Sequence, residues 1–140
     1  MAKFGSSSVT ITFDDSGGTP RDVTQYVTEI NGVEVEAMTD ATHAFGDAWE
    51  EHTGTGMRKV APIVVKGFYD DAATSGPHVV FSALDTSPSA STRTLAVAHG
   101  GTNGTATVEC RCVKYKIAGK VGKLTEFEAT LLPTGSLAYS

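Results

Sequence analysis

The sequence predicts a mainly β domain, a β-sandwich or partly closed barrel with one short helix. Three observations predict it. Segments of β-branched and aromatic residues alternate with polar ones at period two. Turn signals built on Gly and Asn separate these segments at short intervals. A helical apolar stripe is readable in only one short stretch. The 140 residues suit a single domain, 1–140, able to bury a core without disulfide or metal staples.

The elements follow in order. Val9-Thr10-Ile11-Thr12-Phe13 alternates as a half-buried strand. Asp14 to Pro20 is a loop by composition. Asp22 to Val27 reads either as a turn of helix capped by Asp22 or as the start of a strand. Asn31-Gly32 is a hairpin signal, followed by a strand Val33-Glu34-Val35-Glu36-Ala37 with its acids on one face. Thr39 to Met57 fits neither period and is expected as a long loop carrying Phe45, Trp49 and Met57. Val60 to Tyr69 is a strand with an edge or bulge at Pro62. Pro77 to Leu84 is the helix, with Pro77 at its first position and Val80, Phe81 and Leu84 as its stripe. Thr94 to Ala98 is a strand, and Gly100 to Gly104 turns the chain. Thr105 to Ile117 is a long strand whose apolar phase switches after Cys112, which predicts a bulge. Gly119 to Gly122 turns again, and Thr125 to Leu131 is the last strand, closed by Leu132 to Gly135.

Charge is unevenly spread. The net charge is −5, yet Asp14 to Glu51 holds ten acids against one base, Arg21. From His52 onward there are six acids and nine bases. The chain as a whole lacks the basic stripe of a nucleic-acid binder. Two solvated faces, or an acidic part that docks on the basic part of another copy, both fit this asymmetry. No apolar run approaches the roughly 20 residues of a membrane helix, and the N-terminus lacks the apolar segment of a secretory signal.

Catalytic chemistry is not visible. There is no Gly-x-Ser-x-Gly elbow. Cys110 and Cys112 sit on one strand face, which core packing explains better than zinc, and they are expected to be reduced. His43, His52, His78 and His99 show no metal-ligand spacing and are expected in solvent. Glu34 and Glu36 point in parallel along one face rather than across a cleft. The Gly100-Gly101-Thr102-Asn103-Gly104 stretch lacks the helix and Lys that a phosphate loop needs. No enzyme activity, metal or cofactor is expected.

Four blocks, in order, resemble the tail tube (major tail) proteins of long-tailed bacteriophages. They are Asp22 to Glu29, Thr42 to Trp49, Thr55 to Asp70 and Phe127 to Gly135. Val79 to Leu84 also falls where that family places its short helix. The resemblance implies a sandwich with a flanking helix whose sheets join into one continuous barrel in a hexameric ring. Rings would stack into a virion tail tube, assembled in the host bacterial cytoplasm, through which DNA is ejected. Implied partners are further copies of the chain and the tape measure, tip and terminator proteins. Double-stranded DNA would pass without specific binding, and no membrane is involved. The loop 39–57 would then reach neighbouring subunits, with Phe45, Asp47, Trp49, Met57 and Arg58 as contact candidates. Glu34, Glu36, Glu126 and Glu128 are candidates for a lumen face that repels phosphate, since each Lys or Arg on such a wall adds phosphate affinity. The apolar alternates Val33, Val35, Phe127 and Ala129 would pack inward. The N-terminal arm 1–8 and the tail 136–140 are candidates for ring-to-ring contacts, or are frayed ends. Tail-completion proteins and inner tubes of contractile machines share the resemblance. A monomeric β-sandwich binding module, with an aromatic platform at Trp49 or Tyr69, is a separate alternative. A small hydrolase with a deep His and carboxylate pocket is the remaining one.

Overall fold

The computed structural model describes residues 5, 8–42, 44–46, 48–74, 76–86, 92–100 and 103–140. These form ten strands and one helix. The strands are β1 (Thr10–Asp14), β2 (Pro20–Asp22), β3 (Val27–Ile30), β4 (Val35–Thr42), β5 (Glu51–Val60), β6 (Ile63–Phe68), β7 (Arg93–Ala98), β8 (Thr105–Ala118), β9 (Glu126–Pro133) and β10 (Ala138–Tyr139). The helix α1 is Pro77–Phe81. Every strand pairing is antiparallel, and the main sheet runs β2-β1-β7-β8-β9-β6-β3, with β10 also on β8. The predicted mainly β class is what the chain adopts.

β8 organises the sheet. Its first half pairs β7 and its second half pairs β9, with a register shift between Cys112 and Lys114. That shift is the bulge the phase switch predicted, and a bulge bends a strand and increases its twist. The β2-β1-β7 wing and the β9-β6-β3 wing thus close over one core. Ile11, Phe13, Leu95 and Val97 enter it from one wing, and Ile63, Val65, Phe127 and Leu131 from the other. Ala106, Val108, Cys110 and Cys112 line it from β8, as their shared face predicted.

The helix plugs this core. Gly76 leads into Pro77, which occupies the first turn where its missing N–H is not needed. A Cβ on Gly76 would sit 2.7 Å from the Ala72 nitrogen, so the approach tolerates no side chain. Phe81 stacks on Phe13 at 5.5 Å and on Phe127 at 5.5 Å, bridging the two wings. Leu84 is not part of the stripe; the helix ends before it, and Leu84 is exposed.

Several expectations are corrected. Asn31-Gly32 does not close a hairpin, because β3 pairs with β6 rather than β4. The segment Thr39 to Met57 is not one long loop. β4 and β5 pair across most of it, and only residues 43–50 separate them. Mixed polarity hid these strands because they face water on both sides, so no burial period is imprinted on them. The strand expected from Val33 begins at Val35, and Val35 is exposed. Val60 to Tyr69 is two strands divided at Ala61-Pro62. Asp22 ends a strand, and its carboxylate accepts the Thr24 N–H at 2.9 Å to shape the turn over residues 24–26. Within the tail 136–140, Ala138 and Tyr139 pair with Thr107 and Ala106. In the arm 1–8, residues 1–4, 6 and 7 lie outside the described residues, and the Ser8 hydroxyl donates to the His99 carbonyl.

Candidate assembly surfaces

The first surface is an arm. Opposite partners keep one register from Ile30 and Val65 in β3 and β6 to Val35 and Val60 in β4 and β5. The two pairs of strands are therefore one long ribbon, bent where it leaves the sheet. Asn31 holds the bend. Its backbone N–H donates to Val64 O at 3.1 Å, its Oδ1 accepts from Val64 N at 2.9 Å, and its Nδ2 donates to Pro62 O at 3.2 Å. Gly32 supplies the positive φ of +91° that the bend requires. At about 3.3 Å per residue, the eight residues of β4 carry the tip roughly 25 Å from the sheet.

The arm is exposed along its length and pairs only with itself among the described residues. An isolated two-stranded hairpin is marginally stable in water. This one also presents large apolar groups to solvent: Phe45 is fully exposed, Trp49 is 84% exposed and Met57 63%. Met57 is thrown outward by a second bulge opposite Met38, where Gly56 has φ +83° and Thr55 Oγ1 donates to Met38 O at 3.1 Å. Arg58 lies opposite Ala37. Glu36 and Lys59 approach to 3.8 Å, but both are well exposed, so the pair contributes little. Asp47 lies outside the described residues.

The second surface is the outer face of the β8-β9-β6-β3 wing. Phe127, Ala129, Ile63 and Val65 point into the core, so their neighbours Glu126, Glu128, Val64 and Lys66 point out. The predicted glutamates thus separate into two groups. Glu126 and Glu128 lie on this face, whereas Glu36 lies on the arm and Glu34 at its base, where its carbonyl accepts from Ala61 N. Of the four expected inward residues, Phe127 and Ala129 are buried, Val33 is partly buried and Val35 is not. Nor is the face uniformly acidic. Lys116 stands opposite Glu128, Glu128 opposite Lys66, and Lys66 opposite Glu29. One row across four strands therefore reads plus, minus, plus, minus.

The third surface consists of two strand edges. Among the described residues no strand pairs with the outer edge of β3, or with β8 beyond Cys112 on the side away from β9. Beside the β3 edge lies a cleft of about 480 Å³, lined by Val9, Ile11 and Thr24 on one side and residues 27–30 on the other. Thr24 Oγ1 accepts from Ile11 N at 2.9 Å, standing in for a strand partner. At the β8 edge, Val113 and Ile117 are 39% and 46% exposed.

Behind these surfaces lies a buried anchor that the sequence did not reveal. Arg93, 3% exposed, donates from Nε to Asp85 Oδ2 at 3.2 Å, from Nη1 to Val80 O at 2.8 Å and from Nη2 to Ala83 O at 2.6 Å. Its guanidinium lies 4.9 Å from the centre of the Phe13 ring. Asp85 Oδ2 also accepts the Cys112 N–H at 2.8 Å. The end of α1 is thereby bound to β7 and β8.

Reactive groups are quiet. Burial pushes the Cys110 thiol up to about 12, with Glu109 and Cys112 adding to the effect, and it raises Cys112 as well. Both thiols are free and buried. His78 is not in solvent as expected. Its Nδ1 lies 3.1 Å from the Tyr115 hydroxyl, and Tyr69 meets its ring edge-on. Burial, then the neighbouring Tyr69, pushes Tyr115 up to about 12. His52 and His99 are exposed, and His43 lies outside the described residues. Among the described residues no group of three His, Cys, Asp or Glu could hold a metal, and no helix is long and apolar enough to cross a membrane.

No family model matches the chain, and no curated protein sequence is similar to it. Its fold does match solved structures. One is a chain of the tail of an empty gene transfer agent particle, determined by helical refinement with C6 symmetry (TM-score 0.72, 16% identity, covering 99% of each chain). A second is a chain of the virion of a native gene transfer agent particle (TM-score 0.70, 16% identity, 99% of each chain). A third is a chain of the six-fold symmetrised baseplate of an anti-feeding prophage (TM-score 0.74, 12% identity, 100% of this chain and 97% of the other). At these identities the likeness is one of fold: this chain has, end to end, the fold of subunits found in symmetric particle tails and baseplates.

Proposed function

We propose that this chain is a structural subunit of a phage-type tail, forming six-membered rings that stack into a tube through which DNA passes. The observation that carries the reading is the end-to-end fold match to a chain of a C6 tail, joined to an arm that its own subunit leaves unsupported. Ring closure removes open sheet edges and gives the arm a surface on which to bury Phe45, Trp49 and Met57. Terminal partners would be other tail proteins, and the site of action the virion tail. The subunit needs no cofactor and performs no catalysis in this role. Another structural subunit of a tail-like particle, such as one of its baseplate, is the second reading, favoured by the match to the baseplate chain.

Electron microscopy with light scattering over a range of concentrations tests the proposal. Hollow rings or striated tubes are the expected result. A strict monomer at high concentration, with tail partners added, overturns it and favours the monomeric binding module.

A further inference from the structure

Resting on that ring reading, we infer that the arm is aimed before assembly begins, and that the side-chain amide of Asn31 aims it. Asn31 is a positioning residue: it fixes the direction in which the free subunit holds its apolar tip.

The ribbon has to turn where it leaves the sheet. The last pair on the sheet is Ile30 with Val65, and the first pair of the arm is Val35 with Val60. Residues 31–34 and 61–64 lie between them. A ladder that turns leaves backbone groups without partners, and Pro62 has no N–H to give. Main-chain bonds stand at the two ends of this gap, from Asn31 N to Val64 O at 3.1 Å and from Ala61 N to Glu34 O at 3.0 Å.

The side chain of Asn31 completes the crossing. A hydrogen-bonded antiparallel pair exchanges two bonds, so the Val64 N–H is expected to donate to the Asn31 carbonyl. It donates to Asn31 Oδ1 instead, at 2.9 Å. The side chain thus takes over the carbonyl's place in the ladder, and the main chain is free to turn at Gly32, whose φ is +91°. Nδ2 of the same amide donates to Pro62 O at 3.2 Å.

These two bonds act together as a brace. The amide is planar, with its donor and acceptor in fixed relation. They engage β6 and its lead-in at two points, Val64 N and Pro62 O, two residues apart. One such bond would be a pivot, whereas two from a planar group set an angle. Past the elbow, β4 and β5 pair only with each other among the described residues, so the arm's direction is decided at its root. Aspartate at this position keeps the acceptor for Val64 N–H and loses the donor to Pro62 O; alanine loses both.

The consequence is preorganisation. An arm that swings must give up that freedom at each docking event, while a braced arm has given it up on folding. Ring closure repeats the docking in every copy, so a loss at one residue is multiplied around the assembly.

The test reads direction and assembly separately. Spin labels on Thr53→Cys in β5 and Thr130→Cys in β9 report the arm's direction as a distribution of distances in the free subunit. Cys110 and Cys112 are buried and stay unlabelled. With Asn31 present, one narrow distribution is expected. Asn31→Ala is expected to broaden it about twofold and Asn31→Asp by less, with circular dichroism unchanged. In unlabelled chains, Asn31→Ala is expected to raise the concentration at which assembled material appears by roughly tenfold, and Asn31→Asp by less. A merely structural role would lower stability and leave the distances of folded subunits narrow. A broad distribution with Asn31 present, or a narrow one in Asn31→Ala, would overturn the brace. Assembly of Asn31→Ala at the unmodified chain's concentration would overturn the positioning role. Should Asn31→Ala fail to fold, Asn31→Asp decides by the same two readouts. Failure of the unmodified chain to assemble would overturn the ring reading and not the brace, because the distances are read on the free subunit.

Discussion

Replacing Asp85 by alanine tests whether the Arg93 anchor holds the helix. The substitution leaves a guanidinium that is 3% exposed without its carboxylate, and it leaves the Cys112 N–H without its acceptor. The two carbonyls, Val80 O and Ala83 O, still accept from Arg93 but do not neutralise it. Breaking one side of a buried ion pair costs about 3–5 kcal/mol. For 140 residues, an unfolding entropy near 2.1 cal/mol/K per residue converts this to a fall in Tm of about 10–17 °C. The measurement is urea and thermal unfolding at a concentration where the chain is monomeric. The double variant Asp85→Ala/Arg93→Met is expected to recover part of the loss, because no charge is left buried. A loss below about 1 kcal/mol for Asp85→Ala, with an unchanged denaturant slope, would refute the reasoning. It would mean that water reaches the guanidinium or that the neighbouring carbonyls suffice.

Three further outcomes are expected. Gly67→Ala should prevent folding or cost several kcal/mol: its Cβ would overlap the Tyr26 carbonyl and lie 2.9 Å from Phe127 Cε1, and soluble yield with circular dichroism reads the result. Cys110 and Tyr115 both ionise at higher pH in the folded chain than in the unfolded one, near 12 against ordinary values of 9.0 and 10.0. Folded protein thus holds more protons across that window, so these two groups should make the urea midpoint fall between pH 9 and 12, and both thiols should resist thiol reagents at pH 8 until urea is added. Trp49→Ala should leave monomer stability within about 0.5 kcal/mol yet impair assembly, and in the unmodified chain the fluorescence of Trp49, the single tryptophan, should shift to the blue as the tip becomes buried.

Much of the fold was legible because burial imprints a period. Thr10–Asp14, Arg93–Ala98, the first half of β8 and Glu126–Pro133 each have one face in the core, and each shows the alternation that such a position demands. The bulge after Cys112 was legible for the same reason: a change of phase is a change of face. The helix start was legible from Pro77, although its end was not. Arg93 donates to Val80 O and Ala83 O, at and just past the helix end, from 13 and 10 residues away, a relation that local pattern cannot carry.

The candidate surfaces were legible only in pieces. Phe45, Trp49, Met57 and Arg58 stood out by type, but β4 and β5 bury neither face and so left no periodic trace. Asn31-Gly32 was read as a hairpin turn, whereas it bends a ribbon. Whether it closed a hairpin or tilted a ribbon depended on which strand lay opposite, and that was β6, about thirty residues on. Glu126 and Glu128 were read as an acidic pair because Lys66 and Lys116 are distant in sequence; only pairing across the sheet sets them side by side. By itself, then, the sequence determined what the core segments bury: the faces of the strands with one side in the core, the helix start and the two cysteines of β8. The tertiary structure decided which strands are neighbours, because backbone hydrogen bonding is nearly blind to side-chain identity. Register, free edges and the charge row that crosses them follow from that choice.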